Sequence, residues 1–501
     1  MLELLLSWYV TATILVGLFV GLFVHWLIQR FKYKYPPGPR GLPIIGNLLQ
    51  FDEKILHEQV FELSKQYGPV LTLKYGHVTM LYVNEIDAAL EVLVKKSTDF
   101  ANRLLTPSLD VFTKGGKDIV FSNYGPTWKL HRRIATKGLR HYMQGNALEN
   151  RINDATSTAF EVIDKINGEF DPAEYINFMV GNILTGLCFG GKYSFDDKDL
   201  KYFMEKEDEF IEVFGIGTAE DYVPGLKYVY KTNQLKKIEM IAAELIDGFL
   251  KNKYLAEKKT YNKDNVRHFC DTLLLAREEA IEEEGQIVID SLTEDHLVQT
   301  LSDIFLAGID TSRMTLYWAI KHMIAYPDIQ EKVQQEIDSV VGKDRMPGIE
   351  DRPNLGYTEA VLHESMRLAS VAPIGVFHVS TCDTEIVGYK IPKGTVVGIN
   401  HYALHLDPDA WEDVDRFIPE RYLDENGKLG PKPKNWLPFS AGKRVCLGEF
   451  VAKPELHLIF AQLMQRYKWK MVSGKCVDLT GAGTAFFRVA TPFKVIVEKR
   501  I

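Results

Sequence analysis

The 501-residue chain is poor in cysteine, has no surplus of positive charge and contains neither repeats nor low-complexity runs. Each absence removes a class of protein. Its five cysteines, at 188, 270, 382, 446 and 476, are too few and too scattered for a disulfide framework, and an odd number cannot all pair within the chain. That points to a reducing compartment. Neither C-x-x-C nor C-x-x-C-H occurs, which excludes the common zinc-knuckle and covalent c-type haem signatures. A net charge of −8 and a pI near 6.0 argue against nucleic acid as a partner. With 46% hydrophobic and 25% charged residues the composition is globular, not disordered or collagen-like. The length is about three times a ~150-residue domain, yet no Gly/Ser linker marks a second boundary.

The first thirty residues depart from these averages. Leu4 to Ile28 contains no Asp, Glu, Lys or Arg and is long enough to cross a hydrocarbon core of ~30 Å. Trp8, Tyr9 and Trp26 stand near its ends, where amphipathic rings favour the interface. Arg30, Lys32 and Lys34 follow while only Glu3 precedes, so the positive-inside bias leaves the rest of the chain in the cytoplasm. A cleaved signal peptide fits less well: the stretch exceeds an h-region of ~7–15 residues, its basic residues follow it, and no A-x-A-like site is evident. Tyr35-Pro36-Pro37-Gly38-Pro39-Arg40 then makes a stiff spacer, because consecutive prolines fix φ and remove donors. The expected organisation is a membrane anchor at 1–30, a basic and Pro-rich hinge at 31–45 and one body at 46–501.

The expected fold class is mainly α with small β-sheets. Helical periodicity runs through 128–143, 237–258, 294–324, 327–341 and 356–368. Short β-rich runs occupy Val70–Tyr75, Val78–Val83, Thr384–Ile391 and Thr395–Ile399, the last two separated by Pro392-Lys393-Gly394. A long irregular stretch, about 405–445, is dense in Pro, Asp, Asn and Gly, and in a compact domain so long a loop is usually functional.

That stretch ends in Phe439-Ser440-Ala441-Gly442-Lys443-Arg444-Val445-Cys446-Leu447-Gly448, after which helical spacing resumes at Glu449. Cys446 is thereby placed at a helix N-terminus, where backbone N–H groups and the helix dipole favour the thiolate, the form that binds a soft metal. A lone cysteine is ordinarily a buried, inert residue. Here the pattern F-x-x-G-x-R-x-C-x-G surrounds it: glycines allow close backbone approach, Arg444 supplies a cation for an acidic group, and Cys446 supplies the ligand.

The decapeptide resembles the haem-binding loop of the cytochrome P-450 (haem-thiolate monooxygenase) family at all five fixed positions. The resemblance implies the cytochrome P-450 fold with an N-terminal transmembrane helix, a haem b cofactor, and Cys446 as axial ligand of its iron. Other family features then fall in chain order. Ala307-Gly308-Ile309-Asp310-Thr311-Ser312 looks like the distal helix motif. Thr311 can bond back to the carbonyl of Ala307, and Gly308 costs ~1 kcal/mol against Ala inside a helix, so the helix bends there. The family reading gives Ala307 and Gly308 room for O₂ and makes Asp310 and Thr311 a proton relay. Glu364 and Arg367 match E-x-x-R, with Arg421 as the third, structural partner. Trp128 and Arg132 match W-x-x-x-R, and with His378 and Arg444 they offer four donors to the two haem propionates; Phe439 opens the loop.

Within the family, Asp303–Thr311, Ile349-Glu350-Asp351-Arg352-Pro353 and His401-Tyr402-Ala403-Leu404-His405 are similar to the animal microsomal group that includes steroid 17α-hydroxylase/17,20-lyase and the aryl-hydrocarbon hydroxylases. This implies insertion of one oxygen atom from O₂ into a lipophilic small molecule, a steroid first, with a xenobiotic or fatty acid as alternative. Electrons would come from NADPH through NADPH-cytochrome P-450 reductase, with cytochrome b5 as an auxiliary donor, in the endoplasmic reticulum membrane. Lys129, Arg133, Lys443 and Lys453 offer a cationic docking patch. A reductase-independent haem-thiolate isomerase is the rival enzyme, and retention of Asp310-Thr311 argues against it; a membrane haem carrier without turnover is the non-enzymatic rival. The loops at about 100–120, 203–230 and 371–376 should line the substrate pocket. Three departures stand out: Pro454 inside the helix after Cys446, Ser370 where proline is common, and Arg313 just past Thr311.

Overall fold

A computed structural model describes residues 33–501 apart from 43, 44, 215, 216, 224, 473–475, 484 and 485, with isolated positions before residue 33. The expected anchor lies outside the described residues, and among those described no helix is long and apolar enough to cross a membrane. The spacer begins on the body. Thr72 donates through N to Pro37 O (2.9 Å) and through Oγ1 to Pro36 O (2.7 Å), and a Cβ on Gly38 would strike Thr72 O.

Helix dominates, as the periodicity predicts. In chain order the main helices are α1 (Leu56–Tyr67), α2 (Pro126–Tyr142), α3 (Ala147–Ile163), α4 (Ala173–Phe189), α5 (Lys198–Phe214), α6 (Phe269–Glu284), α7 (Glu294–Ala325), α8 (Gly356–Ala369) and α9 (Glu449–Arg466). The periodic stretch at 237–258 is one run, Asn233–Thr260, with a π-helical segment at Ala243–Leu250. Helix α7 is apolar around most of its circumference, and it packs against α4, α8 and α9. Helix α6 lies along α2, and α3 joins α4 to α9.

A five-stranded mixed sheet stands beside this bundle in the order β1-β2-β7-β4-β3. Its strands are β1 (Val70–Tyr75), β2 (Val78–Val83), β3 (Asn102–Arg103), β4 (His378–Val379) and β7 (Val396–Ile399), and only β2–β7 is parallel. The run 384–391 is not one strand. It is a separate hairpin of β5 (Thr384–Ile386) and β6 (Tyr389–Ile391), turned by Val387 and Gly388 at φ 49° and 77°. Positive φ at both central residues gives the right-handed twist that a two-residue hairpin needs, and Gly388 meets it without strain.

The departures find local reasons. Ser370 stands at φ 40°, closed to proline; its hydroxyl donates to Arg367 O (2.9 Å) and meets His405 Nδ1 at 2.7 Å. It caps α8. Helix α9 runs on through Pro454, which removes one bond to Phe450 without ending the helix.

Candidate cofactor and substrate site

Cys446 precedes α9 by two residues, with Gly448 as the cap. Its backbone N–H donates to Phe439 O (3.0 Å), closing the loop, and the backbone N–H groups of Gly448 and Glu449 lie near its sulfur. Burial pushes the thiol pKa up; those two N–H groups and the Arg132 guanidinium oppose the rise, and the Glu449 carboxylate adds to it. The sulfur lies deep among protein atoms yet the side chain is open to solvent, the signature of a residue lining a cleft. The two loop glycines divide their work. Gly442 (φ 73°) has no room for a Cβ, which would lie 1.7 Å from Leu93 O on the neighbouring π-helical turn Glu91–Lys95. Gly448 has open space where its Cβ would stand. Only the second leaves room for a flat group, so Gly442 serves the packing of the loop against its own chain.

The predicted donors converge, and most of them are engaged with backbone. Arg444 donates to Ala101 O (2.8 Å), Ile119 O (3.2 Å) and Ser122 O (2.6 Å), and its guanidinium stacks 4.1 Å from the Trp128 ring centroid. Trp128 Nε1 donates to Ile119 O (3.0 Å). Arg132 donates to Val445 O (2.5 Å), one residue before Cys446, and so holds the cysteine loop to α2. Burial keeps His378 neutral, with its pKa well below the usual value, and its Nδ1–H donates to Phe100 O (2.8 Å). Its other ring nitrogen is then an acceptor, so a neutral His378 is no donor to a carboxylate.

Arg103 is a member of this cluster that the sequence reading missed. It pairs with His378 across β3–β4 and donates to Val120 O (3.1 Å), Val376 O (2.8 Å) and Phe377 O (3.0 Å). Burial, then Arg444 and Arg132, depress its pKa, and burial with Arg132 lowers that of Arg444 to about 9. Against the three guanidinium groups stands Asp118, whose own pKa burial lifts to about 6. The field is therefore positive. A cleft with a thiol at a helix N-terminus and an under-compensated cationic rim fits haem, an iron ligand at its centre and acidic groups at its edge.

Ala307 is exposed in the middle of α7, although Leu306, Ile309 and Asp310 around it are buried. Thr311 Oγ1 donates to Ala307 O (2.6 Å) as expected, and Thr315 Oγ1 repeats the pattern onto Thr311 O (2.7 Å). Gly308 faces elsewhere. A Cβ there would meet Leu184 of α4 at 3.0 Å, so Gly308 permits the α4–α7 contact while Ala307 borders the open space. Asp310 is buried, and burial lifts its pKa to about 7, with Arg313 lowering it and Asp208 raising it.

Glu364, Arg367 and Arg421 meet as a structural lock. Arg367 is fully buried and donates through Nε and Nη2 to Glu364 (2.8 Å each), to His405 O and Val414 O (2.8 Å each) and to Arg416 O (3.2 Å). Arg421 Nε reaches Glu364 Oε1 at 3.2 Å.

The three segments expected to line a pocket do meet, around a 410 Å³ cavity bordered by Leu104, Leu109, Tyr222, Val376, Phe377 and Phe486. Its wall also carries polar groups, Thr106, Thr218, Gln234 and the Ser108–Asp221 pair, in which Ser108 donates through N (2.9 Å) and Oγ (2.8 Å) to Asp221; neither the Cys446 loop nor Ala307–Thr311 is among its lining residues. On the outside, α2 and Lys443 border a 660 Å³ groove lined by Lys129, Arg132, Arg133, Lys137 and Arg140. Lys453 is not among its lining residues; it pairs with Glu449 and lies over the Phe439 ring.

Comparison with known proteins agrees with this geometry. A family model described as Cytochrome P450 matches residues 36–497. Steroid 17-alpha-hydroxylase/17,20 lyase of Gallus gallus is 34% identical over 457 residues, covering 88% of this chain and 89% of that protein. Cytochrome P450 2U1 of Mus musculus is 33% identical over 502 residues, 95% of this chain and 92% of that protein. Cytochrome P450 1A1 of Platichthys flesus is 32% identical over 490 residues, 93% and 92% respectively.

Proposed function

The chain belongs to the cytochrome P450 family, whose members are haem-thiolate monooxygenases, and on that premise we propose that Cys446 is its iron ligand and a steroid its substrate. The observation that carries the ligand is the Cys446 side chain, open to a cleft just before a helix N-terminus whose Gly448 and Glu449 N–H groups favour its thiolate. Haem, once bound, supplies the activation of dioxygen and the insertion of one oxygen atom, the other leaving as water. The chain's residues do the rest. Gly448, Glu449 and Arg132 stabilise negative charge on sulfur. Arg103, Arg132 and Arg444 would hold the acidic edge, with the Trp128 ring stacked under Arg444, and Phe439 closes the loop through its carbonyl. Ala307, exposed in mid-helix, would leave room for dioxygen. Asp310 and the Thr311 hydroxyl move protons towards that space, Asp310 with a pKa of about 7 being able both to hold and to release one at neutral pH.

A steroid is supported by the 410 Å³ cavity, mostly apolar with the Ser108–Asp221 pair on its wall, and by relatives named for steroid hydroxylation. Residues 1–30 anchor the chain in the endoplasmic reticulum membrane with the body in the cytoplasm, and the cationic groove on α2 receives the acidic faces of NADPH-cytochrome P-450 reductase and cytochrome b5. The reduced protein under carbon monoxide is expected to show the thiolate absorption band, and Cys446→Ser to lose it while still binding haem; a wild-type chain that is folded, haem-loaded and lacks the band overturns the ligand. Titrating steroids, planar aromatics and fatty acids against the haem band then ranks substrates, and tighter binding of either non-steroid class overturns the steroid.

A further inference from the structure

Helix α6 ends in Glu278-Glu279-Ala280-Ile281-Glu282-Glu283-Glu284, with no basic residue in its last turn. Carboxylates there face the negative end of the helix dipole, so the run works against its own helix. Helix α2 supplies the compensation. Glu279 pairs with Lys137 (2.9 Å) and Glu284 with Arg133. Backbone packing sets this register: the two helices run antiparallel here, with Gly138 against the start of α6 and Arg133 against its end. A Cβ on Gly138 would meet the Phe269 ring at 3.2 Å and Thr272 Oγ1 at 3.3 Å. Both paired cations line the 660 Å³ outer groove. Of the six Lys and Arg on that lining, Arg133 and Lys137 thus hold acids of their own chain, and Arg132 is turned to Val445 O. Lys129, Arg140 and Lys443 have no carboxylate partner among the described residues.

We infer that the acidic end of α6 is a built-in competitor for the docking groove: an acidic partner surface takes Arg133 and Lys137 only by displacing Glu284 and Glu279, and first contact falls to Lys129, Arg140 and Lys443. The inference rests on the reading of this groove as the face that receives the reductase. Exchange is open, because all four paired side chains keep 36% to 53% exposure and a surface pair of this kind holds weakly. A partner carboxylate that replaces one of α6 leaves the number of ion pairs unchanged, so net attraction comes from the three cations without an acid of their own. The complex is weaker than the groove's count of cations implies. Electron-transfer encounters sit at the weak end of protein association, and a donor that must bind, pass an electron and leave is served by a groove partly neutralised in advance. Lys453 follows the same rule, held by Glu449 on its own helix.

The test uses the full-length, haem-loaded protein with NADPH-cytochrome P-450 reductase, and reads turnover against reductase concentration. Glu279→Gln/Glu284→Gln is expected to lower the KM for reductase about two- to fourfold at low salt, with the difference fading as salt rises. Displacement itself is read by labelling the wild-type protein with a carbodiimide and an amine and locating the label by mass spectrometry. Saturating reductase is expected to raise labelling of Glu279 and Glu284, freed from their partners, and to lower acylation of Lys137. A field effect without exchange changes neither. An unchanged or raised KM in the double variant, or carboxylate labelling that stays level or falls, overturns the inference. The labelling needs no variant and decides alone if the double variant does not fold. Failure of the underlying docking reading is separate: Arg140→Glu would then leave the KM for reductase at its wild-type value at low salt.

Discussion

Around Cys446 the arginines donate to backbone carbonyls, whereas between α5 and α7 the charged side chains meet one another. Arg132 and Arg444 reach Val445, Ala101, Ile119 and Ser122, so their positions are fixed by main chain that itself cannot titrate. Arg313 reaches the exposed Asp208 and the buried Asp310, side chains that carry charge themselves. The contrast teaches a division of labour. On the proposed reading, the side that would present one sulfur in one place is overdetermined by main chain, and the side that would move protons is held by side-chain ion pairs, with burial lifting the Asp310 pKa to about 7.

The sharpest break of that comparison is Cys446→Ser, which is expected to abolish turnover and the thiolate band together while α7 and its seam stay intact by circular dichroism. Next in size is Glu364→Gln, which leaves the fully buried Arg367 charge half-compensated. Its cost is about 3–5 kcal/mol of stability, read by denaturant midpoint, and haem loss should accompany it because the lock holds the chain leading to the cysteine loop. Asp310→Asn is expected to cost about 10²–10⁴-fold in turnover, read as product formed per unit of NADPH consumed. It should also change the pH dependence of stability. The folded-state pKa of about 7 lies above the ordinary 3.8, so the native protein binds this proton more tightly, and stability falls as pH rises between those values. Removing the group flattens that fall, by at most about 1.4 kcal/mol per pH unit, measured as thermal midpoint against pH. The smallest effect belongs to the outer groove: Arg140→Glu is expected to slow reductase-supported turnover by about two- to threefold at low salt, with the difference fading as salt rises.

The cysteine loop and the Ala307–Thr311 motif were legible because their chemistry is local: turn, ligand and hydroxyl lie within a few residues of one another. The main helices were legible through periodicity, and β1 and β2 matched to the residue. Arg103 was not, since its role comes from pairing opposite His378, 275 positions away in chain order, and nothing near it in sequence announces that register. The split of 384–391 was missed because a β-branched Val387 at positive φ hides a turn that Gly388 alone could have signalled. The buried Glu207 did carry a signal. Phe203, Glu207 and Phe210 follow helical spacing on one face of α5, so the acid sits within an apolar stripe, and its charged neighbours masked the phase. Gly442 and Gly308 were correctly singled out but for another reason, as close approach of chain to chain cannot be told from close approach of chain to cofactor without coordinates.

The docking of Pro36 and Pro37 on Thr72 bears on how a bilayer would meet this protein. Tyr33 is already tied to the body through its hydroxyl on Asp383 (2.7 Å). For an anchor ending at Ile28, five residue steps separate it from Tyr33, at most about 18 Å of chain. So short a mooring acts as a compass more than a rope. On the proposed reading it would select which flank of the body faces the lipid: the one where Pro36 and Pro37 dock on β1, which runs into the β1–β2 turn where His77 Nδ1 donates to Tyr222 O (2.8 Å). A lipophilic molecule dissolved in the membrane would then arrive on the side where Tyr222 borders the 410 Å³ cavity, and the attachment would also set the direction from which it is drawn.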